Sequence, residues 1–127
     1  SGATGYHIWV FNDDGGQPDS NPEAGGEVAH RVIPAEGTFN NTTGGQVYIL
    51  LDTPITLSTD GTYWLSFYPE LAFATDGQYW WNLATSSNGS TAWQINPNGG
   101  FGQGSDWWAL KGDLAFTLWS GGGCELP

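Results

Sequence analysis

Across 127 residues, 13 acidic side chains face only two basic ones, Arg31 and Lys111, for a formal net charge of −11. Nucleic acid is thereby excluded as a partner, because neutralising phosphates needs a basic patch, and an anionic membrane surface is disfavoured for the same reason. Charged residues make up only 12% of the chain while tryptophan occurs eight times, a balance that suits an extracellular β-rich module better than a cytosolic enzyme.

The length suits one domain with a sizeable core. Twenty glycines and seven prolines leave little room for long helices, and short β-type runs alternate with turn residues. Residues 6–11 (YHIWVF) form the first run, with Trp9 on the opposite side from Ile8 and Val10. The loop 12–22 (NDDGGQPDSNP) cannot be regular. Residues 27–33 (EVAHRVI) and 46–52 (QVYILLD) are the next runs, and 55–58 is a short one after Pro54. Asp60-Gly61 turns the chain into 62–68 (TYWLSFY), where Tyr63, Leu65 and Phe67 oppose Trp64, Ser66 and Tyr68.

Residues 78–84 (QYWWNLA) set Tyr79, Trp81 and Leu83 against Trp80 and Asn82. Residues 91–95 form another short run, 96–106 a Gly-rich loop, and 107–110 a strand or turn. Residues 113–120 (DLAFTLWS) close the domain with Leu114, Phe116 and Leu118 inward. The expected fold is all-β: an antiparallel β-sandwich, jelly-roll-like, of eight or nine short strands over residues 1–120. Residues 121–127 read as a Gly-rich linker or tail. Its Cys124 is either a bridging thiol or a free one. Asn40, Asn41 and Asn88 each open an Asn-x-Ser/Thr triplet. Nothing approaches the ~18 consecutive apolar residues of a membrane span, so membrane insertion is not expected.

Three segments resemble a family of bacterial extracellular β-sandwich modules, of the kind found in choice-of-anchor-type secreted and surface proteins. They are 8–18 (IWVFNDDGGQP), 55–67 (ITLSTDGTYWLSF) and the Trp- and Gly-rich stretch 81–116 ending in DLAF. The resemblance implies a secreted or surface-displayed, non-catalytic module and names no ligand. Such modules have a strand before the one at Tyr6, where this sequence offers only five residues. That raises an edge open to a strand from another chain.

No nucleophile motif accompanies His7 or His30, and the acids sit mostly at turns, so catalysis is not expected. The loop at 12–23 admits two readings. Asp13, Asp14 and Asp19, with Glu23, could supply oxygens to Ca²⁺. The simpler reading is an Asx-type turn with glycines at positive φ; no cofactor is then required. Trp64, Trp81 and Trp119 read as core and Trp9 as sheet cover. Trp80, Trp93, Trp107 and Trp108 keep polar company, with Asn82, Gln94 and Asp106 among their neighbours. Flat aromatic faces beside amides and a carboxylate are what a sugar requires, since its C–H face stacks while its hydroxyls hydrogen-bond. These residues form either a lid on the sandwich or a binding platform. The expected function is binding of a neutral glycan or surface polymer. The alternative is an adhesive or structural subunit that pairs strands with copies of itself.

Overall fold

The computed structural model describes residues 3–35, 38–41, 46–76, 81–87, 89–96 and 104–118. The chain divides into two compact units, Ser1–Tyr79 and Trp80–Pro127. Both are built of antiparallel strands and bridges, and the fold is all-β. Among the described residues the only helix is α1, the single turn Phe73–Asp76.

The first unit is organised by β1 (Gly5–Asp14). It is the central strand, with β3 (Ala29–Pro34) antiparallel on one side and β6 (Tyr63–Glu70) antiparallel on the other. The Tyr6 run is therefore paired along both edges, and among the described residues the sheet's outer edges belong to β3 and β6. Pro34 and Pro69, which cannot donate to a ladder, fall on those outer strands.

The register sorts the side chains by face. Tyr6 lies opposite Ile33, Val10 opposite Leu65 and Ile8 opposite Phe67, which gathers one apolar face; the Tyr6 and Phe67 rings lie 5.5 Å apart. Trp9 lies opposite His30, His7 opposite Tyr68 and Phe11 opposite Trp64 on the other face. Tyr6, Trp9, Val10, Phe11 and Ile33 are all buried. A strand apolar on both faces is thus covered on both, and the alternation read in residues 6–11 and 62–68 holds in space.

A tight hairpin joins β1 to β2 (Gln17–Pro18). Its two central residues, Gly15 and Gly16, have φ of 64° and 93°. A two-residue loop that matches strand twist needs positive φ at both positions, which glycine adopts without strain. Further along, β4 (Thr38–Asn41) and β5 (Gln46–Ile49) form an antiparallel pair. Residues 55–58, expected as a strand, form none. Pro54 removes a donor, and Leu57 is exposed.

In the second unit β7 (Trp93–Gln94) pairs with β8 (Trp108–Ala109). Backbone bonds extend the ladder: Leu110 N donates to Ala92 O at 2.8 Å and Ala92 N to Gly112 O at 2.9 Å. Leu83 bridges Leu114, flanked by Ala84 N to Asp113 O and Ala115 N to Asn82 O. The Trp81 indole N–H donates to Ala115 O at 2.6 Å, and its ring meets Phe116 edge-on. Phe116 and Leu118, expected inward, are 48% and 72% exposed. Past Ala115 the closing segment has no strand partner among the described residues, so alternation there selects no buried face. Trp119 and residues 121–127, with Cys124, lie outside the described residues.

Candidate functional site

The amide and tryptophan residues singled out above come from the second unit. In the β7–β8 pair Gln94 lies directly opposite Trp108, and Trp93 opposite Ala109. Directly opposed residues share a face and successive ones alternate. Trp108 and Gln94 therefore stand side by side on one face, while Trp93 points from the other. Gln94 is exposed and Trp108 half-buried, which sets an exposed amide beside a partly open ring. Trp93 is half-buried, and its indole nitrogen is buried without a partner among the described residues.

Trp107 precedes β8 and is half-buried, and Asp106 before it is exposed. Asn82 is exposed, and its carbonyl is engaged by Ala115 N. Trp80 lies outside the described residues. The geometry thus joins Trp108 to Gln94, keeps Asp106 and Trp107 close to Trp108 in the chain, and separates Trp93 from Trp108 and Gln94 by facing.

The acidic loop is built differently. Asp13 Oδ1 accepts the Trp64 indole N–H at 2.7 Å, and Asp13 Oδ2 accepts Gly16 N at 3.3 Å. One carboxylate oxygen ties β1 to β6 and the other steadies the Gly15-Gly16 turn. Downstream, Asn21 Oδ1 accepts from Glu23 N and Ala24 N at 2.9 and 3.1 Å, an Asx turn. Asp14, Asp19 and Glu23 are exposed. Among the described residues no three His, Cys, Asp or Glu side chains are grouped so as to hold a metal ion.

One cluster escaped the sequence. On the Trp9 face of the first unit, His7 Nδ1 lies 2.9 Å from His30 Nε2, and His7 Nε2 lies 2.5 Å from Glu70 Oε1. Thr4 Oγ1 donates to the other Glu70 oxygen at 3.4 Å. The Trp9 ring stacks face to face on His30, with centroids 3.5 Å apart, and its N–H donates to the Tyr68 hydroxyl at 3.3 Å. Tyr68 lies parallel to His7 at 4.7 Å.

Three strands contribute to this row: His30 from β3, His7 and Trp9 from β1, Tyr68 and Glu70 from β6. Burial, then the field of His7, lowers the His30 pKa below its ordinary value; Arg31 adds to the lowering and Glu27 opposes it. The hydrogen bond from His7, then its charge, lowers the Glu70 pKa. The parity of His7, Trp9, His30 and Tyr68 within their strands was legible, whereas Glu70 lies past the run expected at 62–68, and the register that aligns them was not legible.

Comparison with protein-family models, with curated proteins and with solved structures finds no match.

Proposed function

We propose that this chain is a non-catalytic extracellular module, of jelly-roll-like β-sandwich type, that binds a neutral glycan or surface polymer. Trp108 is the stacking surface, Gln94 the hydrogen-bonding partner and Asp106 a flanking acceptor. The observation that carries this reading is the cross-strand placement of Gln94 opposite Trp108. Opposed Cβ atoms lie about 5 Å apart, a spacing at which one sugar ring can lie on the indole while its hydroxyls reach the amide. The scarcity of Lys and Arg favours an uncharged ligand over an anionic one.

Trp93 provides the internal control. It sits on the reverse face of the same ribbon, so Trp93→Phe should alter stability and leave binding intact. The test is tryptophan fluorescence and retention on immobilised polysaccharide across a panel of neutral glycans. Trp108→Ala is expected to weaken any binding by about 2 kcal/mol, the scale of an aromatic anchor. Gln94→Ala should weaken it less.

A second reading, assembly through strand pairing, is favoured by one feature. Among the described residues, β6 pairs with β1 alone and leaves its outer edge without a strand. Concentration-dependent oligomers in sedimentation, with no glycan response, would move the conclusion to that reading.

A further inference from the structure

The row His30, His7, Glu70 is a directional chain of hydrogen bonds, and its geometry limits how many protons it can hold. The two imidazole planes are within 15° of parallel, with centroids 5.2 Å apart. Two rings stacked face to face would approach as closely as Trp9 and His30 do, at 3.5 Å. The longer separation, with 2.9 Å between Nδ1 and Nε2, means that the rings meet edge to edge. Each nitrogen lone pair or N–H then points at the other ring, which a strong N–H···N bond requires.

Glu70 sets the direction. Its carboxylate is acceptor-only when ionised, so His7 Nε2 must carry a hydrogen. A neutral His7 then presents a bare Nδ1, which accepts from His30 Nε2–H. One added proton is tolerated: on His30 Nδ1 it leaves the contact unchanged, and on His7 Nδ1 it reverses the donor while His30 shifts tautomer. A second proton places two N–H groups nose to nose with two positive charges behind them. The contact cannot survive that.

We propose that His7 and His30 form a one-proton clasp between β1 and β3, which holds while the pair carries at most one extra proton and opens when it takes up a second. Opening releases His30 from the face of Trp9, a ring only 8% exposed when the clasp is closed. The groups around the pair act on the second proton in opposite directions. Glu70 from β6 is bonded to His7. Glu27, just before β3, favours charge on His30, while Arg31 within β3 disfavours it. Tyr68 from β6 lies against His7. Arg31 itself is held by bonds from Nε to Thr53 O and from Nη2 to Pro54 O, so it stays as a fixed positive charge.

The sign of the stability effect follows from burial and from His7, which both make folded His30 a poorer base than the ordinary 6.5. The unfolded chain takes up that proton first. Stability from this group is full above the unfolded value and falls as pH drops through it towards the lower folded value. Glu70, also lowered, contributes stability that is present above the unfolded carboxyl value and lost as pH falls through the folded one.

The chain has only two histidines, so imidazole ¹⁵N spectra of the intact protein can be followed without crowding. Expected at neutral pH are a bare His7 Nδ1 and a protonated His30 Nε2. On acidification the pair should take up protons in two separated steps, and the nuclear Overhauser contact between the His30 and Trp9 rings should disappear with the second. In His7→Gln the amide can accept from a charged His30, so that contact should persist through the same range. Before the clasp opens, the wild-type unfolding constant should rise by up to about tenfold per pH unit as pH falls below the ordinary histidine value. A single shared step with the His30–Trp9 contact retained would overturn the proposal. So would loss of that contact at the same pH in wild type and His7→Gln. If His7→Gln does not fold, the wild-type steps and contact still decide.

Discussion

The Asp13 carboxylate offers the sharpest test of how the first unit is held. It accepts the Trp64 indole N–H at 2.7 Å and Gly16 N at 3.3 Å. The first bond is short and charge-assisted, and such bonds contribute about 1.5–3 kcal/mol when sheltered. Asp13 is exposed, so the lower end applies. The two partners are not equivalent. Trp64→Phe keeps the ring and frees an exposed carboxylate to water, at about 0.5–1 kcal/mol. Asp13→Ala strands a half-buried indole N–H and also loses the turn bond, at about 1.5 kcal/mol. Combined in a double-mutant cycle, the pair should show a coupling of about 1 kcal/mol, which for a chain of this size is roughly 4 °C in a melting curve. Asp13→Asn should fall between, because one amide oxygen cannot replace both acceptors. Thermal melts by circular dichroism measure the four proteins of the cycle and Asp13→Asn. Additivity within about 0.3 kcal/mol would refute the Asp13–Trp64 tie. A melting-temperature rise on adding Ca²⁺ that is abolished in the Asp13→Asn, Asp14→Asn double variant would show that the loop serves as a cation site instead.

Two further predictions concern the same sheet. Phe11 is fully buried at the centre of β1, and Phe11→Ala should destabilise by about 3–5 kcal/mol, measured by urea denaturation. That is a large part of the ~5–15 kcal/mol typical of a domain, and a loss below about 1 kcal/mol would contradict the central position of β1. Gly16 has φ of 93°, and a Cβ placed there meets nothing within 4 Å. Gly16→Ala should therefore lose only the backbone preference, about 1–2 kcal/mol. An unchanged melting temperature would argue against the positive-φ turn.

Much of the first unit was readable because its signals are local. The alternation in 6–11 and 62–68 fixes which residues share a face, and Gly15 and Gly16 take the positive φ expected of them, although the loop expected to be irregular over 12–22 holds the end of β1 and all of β2. What could not be read was which strand lies beside which. The Tyr6 run could have been an edge strand, and only its pairing with both β3 and β6 makes it central. The same gap hid the histidine row, since His7, His30 and Glu70 meet only in this register.

Register also divides the tryptophans. A slip of one residue between β7 and β8 would set Gln94 opposite Trp107 or Ala109 in place of Trp108, and so remove Trp108 from beside the amide. Composition alone grouped Trp93 with Trp108, and the ladder sets them on opposite faces. The outward turn of Phe116 and Leu118 has a similar origin. Period-two alternation names two faces, and a neighbouring strand is needed to say which is buried.

Glycan binding by the Trp108–Gln94 face is tested most directly by one comparison. Wild type, Trp108→Ala and Trp93→Phe are passed over the same panel of neutral polysaccharides, with circular dichroism confirming the fold of each. At least one polysaccharide is expected to retain wild type and Trp93→Phe alike, while Trp108→Ala binds it about 30-fold more weakly. Equal retention of wild type and Trp108→Ala, or no retention of wild type by any polysaccharide, would contradict glycan binding by this face.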